Sequence, residues 1–234
     1  MGARRREDGL DRSRAYLDYN ASAPLRDAAR AAMAAALDLA NPSSVHAEGR
    51  VARAALEAAR ADVAALADAP ARHAVFTSGG TEAAAMALRP NLVGFEGPLR
   101  LLLGATEHPA VREGHGFPSA AVEILPVDPD GRLRLDALEA ALRRGGPAVL
   151  SLQAANNETG VLQPVAEAAA LVRAAGGVTV CDAAQAAGRV PLSMAALGVD
   201  ALLVSAHKFG GPKGIGAVLY ASERAKPVRA RSRG

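Results

Sequence analysis

The chain has one cysteine, no tryptophan and only three lysines, and aromatic residues make up 3% of it. The single thiol, Cys181, excludes an internal disulfide framework and any multi-cysteine zinc or iron–sulfur site built from this chain alone, so no metal site is expected. Sparse aromatics remove the interleaved aromatic and basic pattern of single-stranded nucleic-acid binders. Long hydrophobic runs are missing too. None reaches the roughly 20 residues of a membrane-spanning helix, and Met1 to Asp8 lack the apolar stretch of a signal peptide. The expectation is a cytoplasmic protein with no membrane partner.

A sequence pI near 9.4 points to a basic protein, yet the basic excess is terminal. Residues 1–14 hold five arginines against three acids, and residues 223–234 hold five basic residues against one. The body between them has 17 basic and 20 acidic residues, so no basic face and no nucleic-acid partner is implied. What is present is globular: 234 residues, 50% hydrophobic and 22% charged, long enough for a sizeable core. Alanine is about a quarter of the chain, which favours helices packed through small faces.

Residues 1–14 read as a disordered leader, or as a start codon placed too early. Residues 15–222 read as one domain with an N-terminal helical arm, and residues 223–234 as a disordered basic tail. Helical spacing predicts helices over 27–40 and about 46–69, separated by Asn41-Pro42-Ser43-Ser44. Apolar segments then predict strands at 74–77, 99–103, 121–127, 148–152, 178–181, 201–205 and 215–220. Helices are predicted up to about Leu88, over 108–114, over 136–144 and over 165–175. This alternation implies an α/β fold, a mostly parallel seven-stranded sheet with helices on both faces. The Gly-rich link at 210–214 is too short for a helical crossover, so the last strand should pair antiparallel.

In open α/β sheets ligands sit beyond the C-terminal strand ends. Four such ends carry polar residues that packing does not need: 77–82, 153–160, 182–185 and 205–208. Ser78-Gly79-Gly80-Thr81 lies between a strand and a helix start, where close backbone approach and free N–H groups suit a phosphate; a tight turn with a Thr cap is the alternative. It matches neither the P-loop nor the dinucleotide fingerprint. Lysine is scarce beside 24 arginines, so Lys208 at a strand end asks for a reason. An amine of lowered pKa forms a Schiff base and a guanidinium does not; the plain reading is a solvated loop lysine, and Lys213 is the competitor. Asp182 ends an apolar strand, where a carboxylate needs a cation such as a protonated pyridine nitrogen; a helix N-cap is the alternative. Alternation puts Cys181 on the opposite face, in packing. His108 follows another strand end, where it can stack on a flat ring or move a proton.

Together these segments resemble the cysteine desulfurases of the class V aminotransferase group, enzymes that use pyridoxal 5′-phosphate (PLP). The matching motifs are Tyr16-Leu17-Asp18-Tyr19-Asn20-Ala21, Asn41-Pro42-Ser43-Ser44 with His46, and Phe76-Thr77-Ser78-Gly79-Gly80-Thr81-Glu82. They continue in Thr106-Glu107-His108, Asn156-Asn157-Glu158-Thr159-Gly160, Asp182-Ala183-Ala184-Gln185 and Ser205-Ala206-His207-Lys208 with Gly211-Pro212-Lys213-Gly214. Order and spacing agree from about residue 16 to 220. The resemblance implies a fold type I PLP large domain. It implies that Lys208 binds PLP covalently and carries protons, that Asp182 pairs with the pyridinium nitrogen, and that His108 stacks on the ring and transfers protons. It also implies that Gln185 bonds the phenolic oxygen with Asn157 nearby, and that Gly80, Thr81, Ser205 and His207 hold the phosphate.

The implied activity is removal of sulfur from L-cysteine, giving alanine and a persulfide for iron–sulfur cluster or thio-cofactor synthesis. The implied partners are L-cysteine, a sulfur-acceptor protein and a second copy in a homodimer. The chain stops 14 residues after Tyr220, before the family's catalytic-cysteine loop, substrate-carboxylate Arg and most of the small domain. The expectation is a C-terminally truncated member, from a shortened or frameshifted gene or completed by a second polypeptide. Two other readings remain: a PLP-binding or protein-interaction fragment without turnover, and a nucleotide-binding α/β module.

Overall fold

The computed structural model describes residues 15–228; the predicted leader and residues 229–234 lie outside the described residues. Seven strands form one sheet: β1 (Ala74–Thr77), β2 (Arg100–Gly104), β3 (Val122–Leu125), β4 (Ala148–Gln153), β5 (Val178–Asp182), β6 (Ala201–Ser205) and β7 (Gly216–Tyr220). Their spatial order is β1-β7-β6-β5-β4-β2-β3. Strands β2 to β6 pair in parallel, whereas β7 runs antiparallel to both β1 and β6. The short Gly-rich link before β7 leaves no room for a crossover, as its length requires.

The helices are α1 (Asp27–Ala36), α2 (Ala47–Ala65), α3 (Gly80–Ala87), α4 (Pro109–Arg112), α5 (Leu135–Arg143), α6 (Val165–Ala174) and α7 (Met194–Leu197). They cover both faces of the sheet, giving two separate cores. Leu102, Leu150, Cys181 and Leu202 pack on one side with residues of α5 and α6. Leu101, Val149, Val180 and Leu203 pack on the other with Ala83, Ala84 and Ala87 of α3. Central strands covered on both faces have no polar alternation to show, so they read as continuous apolar runs. Alanine-rich helix faces let the helices lie close on them.

Three local expectations change. The helix expected over 108–114 is only the turn α4, which starts with Pro109 at its first position and ends at its C-cap Glu113, whose N–H bonds back to the Pro109 carbonyl. The short α7 had no prediction; Ser193 caps its start and Gly198, at φ 67°, its end. The tail does not begin at 223, since Ala225 is buried at 1% exposure. Val93 N–H donates to the Lys226 carbonyl at 2.8 Å and Val228 N–H to that of Asn91 at 2.7 Å. Two basic side chains there make specific contacts: Arg224 lies over the Phe95 ring and Lys226 pairs with Glu223.

The N-terminal arm is tied to the loop after β6, with Ala23 N–H donating to the His207 carbonyl and Arg26 N–H to that of Gly210. Beyond this tie, α1 buries none of its residues. Leu37 and Val45 stand 83% and 89% exposed.

Candidate active site

β1 and the five parallel strands point the same way, and the C-terminal ends of β1, β2, β4, β5 and β6 surround a cavity of about 580 Å³. This is the edge where open α/β sheets gather ligands. Gly80 and Thr81 enter it from the first turn of α3. The N–H groups of that turn have no acceptor within the helix, which makes the helix start an anion-binding end. Gly79 at φ 154° and ψ −179° occupies backbone space open essentially to glycine alone. The turn lies so close to β7 that a Cβ on Gly216 would sit 2.6 Å from the Gly79 carbonyl carbon. A Cβ on Gly80 would sit 3.4 Å from Ser205 Cβ, filling the gap between this turn and the end of β6.

Asp182 ends β5 at the cavity. Its Oδ1 accepts the Ala184 N–H at 2.9 Å, and the chain continues in turns rather than in the helix that an N-cap would serve. Burial raises the Asp182 carboxyl above its ordinary range, against the pull of the Ala184 bond and the charges of His108 and Lys208. His108 caps α4, its Nδ1 accepting the Ala110 N–H at 3.1 Å, so a neutral ring carries its proton on Nε2.

Lys208 closes the 3₁₀ turn Ala206–Lys208 that follows β6. Its Nζ donates to the Asn20 carbonyl at 2.6 Å. Burial, and then the Arg189 charge, lower its pKa from the ordinary lysine value, while Asp182, Asp18 and Glu158 oppose them. His207 Nδ1 lies 3.4 Å from Ser22 Oγ. Burial and the charges of Lys208 and Lys213 lower the His207 pKa. Gln185 donates through Nε2 to the Asn20 carbonyl at 2.9 Å. The Asn157 carbonyl accepts from Asn20 Nδ2 at 3.1 Å.

Gly80, Thr81, His108, Asn157, Asp182, Gln185, Ser205, His207 and Lys208 thus line one cavity, and so does the competing Lys213. Lys226 sits elsewhere, against Glu223. Cys181 is 0% exposed on the far face of β5, and burial holds its thiol well above the ordinary range. Three further residues organise the site. Gln153 lines the cavity, and its backbone N–H donates to Glu107 Oε1 at 2.8 Å. Glu107 itself is 3% exposed and raised well above the usual carboxylate range by burial, and its Oε2 has no hydrogen-bond partner among the described residues. Gln153 ends β4 and Glu107 follows β2, so the strand-end signal was available for both. Arg189, bonded to Gln185 and to the Lys208 carbonyl, carries no local signal among 24 arginines.

Comparison with known proteins gives the family. The aminotransferase class-V family model matches residues 15–231. The chain belongs to that family. A cysteine desulfurase of Frankia sp. (strain EuIK1) is 42% identical over 89% of this chain and 53% of its own length. Cysteine desulfurase IscS of Dictyoglomus turgidum is 39% identical over 87% of this chain and 53% of its own. The X-ray structure of a NifS-like protein from Rickettsia africae superposes with a TM-score of 0.79 at 29% identity, covering 88% of this chain and 57% of that one. This class-V chain therefore spans about half the length of the curated relatives it matches.

Members of the family are PLP-dependent, and the residues of the cavity fit that group. A Cβ on Gly80 would touch Ser205 Cβ at 3.4 Å, so glycine leaves the space beside the free N–H groups of the α3 start open, as an anion such as a phosphate requires. Asp182 is a desolvated carboxyl in want of a cation, and Lys208 is an amine displaced towards its neutral form.

Proposed function

We propose that this chain carries the PLP-binding part of a cysteine desulfurase, acting on L-cysteine and leaving alanine. The observation that supports it best is one cavity holding three matched ends: the Lys208 amine, the Asp182 carboxyl and the α3 start with Ser205 and His207. In the proposed arrangement the N–H groups of Gly80 and Thr81, with Ser205 and His207, bind the phosphate. Asp182 holds a proton at the ring nitrogen by charge pairing, which also relieves its own desolvation. Gln185 donates to the phenolic oxygen, with Asn157 beside it, and His108 forms a wall against the ring face. Lys208 Nζ binds the cofactor and then moves a proton at the substrate α-carbon. When bound, PLP supplies an electron sink for that carbon.

Overall, L-cysteine and an acceptor thiol become alanine and the acceptor persulfide. Cys181, the one cysteine of the sequence, is not that acceptor: its thiol is buried and held in the protonated form. The acceptor thiol belongs to another polypeptide or segment. The relatives' names support sulfur removal from cysteine; a sulfur-acceptor protein, a homodimer and a cytoplasmic setting are proposed with it.

The test is addition of PLP to the purified chain, followed by borohydride and peptide mapping. A visible absorbance band and a reduced adduct on Lys208 are expected, with no useful sulfide release from L-cysteine by the 234-residue chain alone. Absence of both band and adduct would sink the reading in favour of a nucleotide-binding module.

A further inference from the structure

Arg189 stands in the turn after Gln185, outside the set of residues that would touch PLP. Its two terminal nitrogens are fully committed. Nη1 donates to Asn20 Oδ1 and, at 3.0 Å, to Gln185 Oε1. Nη2 donates to the carbonyls of Tyr19 at 2.8 Å and Lys208 at 3.0 Å. One planar guanidinium thus joins three segments that are remote in sequence: the N-terminal arm, the turn after β5 and the turn after β6. Lysine, with one ammonium as its donor, does not span that set of acceptors. We propose that Arg189 is a positioning residue of the site, clamping the arm, the Gln185 amide and the Lys208 turn into one rigid unit.

The clamp has two consequences for the proposed chemistry, and on that reading the inference rests. An amide whose oxygen is bound to a guanidinium must present its NH₂ elsewhere. One of the Gln185 Nε2 protons goes to the Asn20 carbonyl at 2.9 Å, and the other is left for an acceptor in the cavity. Without Arg189 the amide is free to flip and to offer oxygen to a phenolic oxygen, which is repulsive. The second consequence concerns the amine. The Asn20 carbonyl accepts Lys208 Nζ as well, so the arm that Arg189 holds is also the surface on which Lys208 rests. Asp182, Asp18 and Glu158 act on Lys208 with the opposite sign to Arg189, and His207 and Lys213 share the same cavity.

The test compares wild type with Arg189→Met and Arg189→Lys, and it has two arms. In the cofactor-free protein, hydrogen exchange of peptides covering residues 15–24 is measured together with the pH midpoint of Lys208 acylation by a small reagent. Both variants should exchange the arm about tenfold faster, with the β4 and β5 peptides unchanged. The acylation midpoint should rise by about half a pH unit in Arg189→Met and by less in Arg189→Lys, which keeps the charge. In the second arm, PLP affinity should fall about tenfold in Arg189→Met, and by clearly less when Gln185→Ala is already present, because the two act through one bond. A natively folded Arg189→Met with unchanged arm exchange and unchanged Lys208 midpoint would overturn the proposal. Should Arg189→Met fail to fold, Arg189→Lys decides the exchange measurement alone. Failure of wild type to bind PLP would count against the cofactor reading and leave the first arm to judge the clamp.

Discussion

Cys181 and Asp182 are consecutive in β5, and the strand pleat sends them to opposite faces of the sheet, where the same force has opposite uses. On the α6 side, Cys181 lies among Leu152, Leu202 and Ala168, and burial raises its thiol, with the carboxyls of Asp182 and Glu107 adding to the shift. On the α3 side, burial raises Asp182 too, but the Ala184 N–H, His108 and Lys208 pull it back. Desolvation without a counter-charge makes a group inert. Desolvation beside cations at a cavity wall makes a group that gains by binding another cation. One residue of chain separates packing from chemistry.

The largest expected effect breaks the cavity side of that comparison. Lys208→Ala should abolish the borohydride-trapped PLP adduct, while Lys213→Ala and Lys226→Ala keep it; peptide mapping reads this directly. A trapped adduct at the same site in Lys208→Ala would contradict the assignment. Next, Asp182→Asn should weaken PLP binding by about tenfold or more, because an amide does not stabilise a pyridinium charge. Titration of the visible absorbance band measures it.

Glu107 sharpens the comparison through pH. Burial raises its folded pKa well above the ordinary glutamate value, so between those two values the native state binds the proton that the unfolded chain has lost. Stability contributed by this group is therefore present at acid pH and lost as pH rises towards the folded value, with a slope of at most about 1.4 kcal/mol per pH unit. Glu107→Gln keeps the oxygen that accepts the Gln153 N–H and removes the titration. Urea melts between pH 5 and 8 should show the variant gaining on wild type as pH increases; parallel curves would mean that Glu107 is not held neutral. The smallest effect belongs to the packing side. Cys181→Ala should change stability by about 1 kcal/mol or less and leave PLP binding intact. Persulfide sulfur found on Cys181 would refute the alternation argument.

Much of this was legible in the residues. The central strands β4, β5 and β6 are apolar runs with polar ends, so their place in a covered parallel sheet and the position of the ligand edge follow from pattern alone. Cys181 and Asp182 separate by strand parity without any knowledge of the fold. The segment after 223 was not legible, because composition reports its charge and not the Phe95 ring, the Glu223 carboxylate and the Asn91 carbonyl that meet it. Turn α7, four residues long, is too short to show a helical period.

What the sequence by itself determined is the alternation of strands and helices, the antiparallel return of β7 and the set of polar residues at the strand ends, since all of these depend on local spacing. Only the tertiary structure decided which of those ends share a cavity, that Glu107 is buried with one oxygen unpartnered among the described residues, and that Arg189 bridges the arm to the Lys208 turn. Residues 20, 185, 189 and 208 are brought together by chain crossings up to 188 positions apart. Burial and hydrogen-bond partners across such separations are properties of the packed sheet and its loops, and no window of sequence contains them.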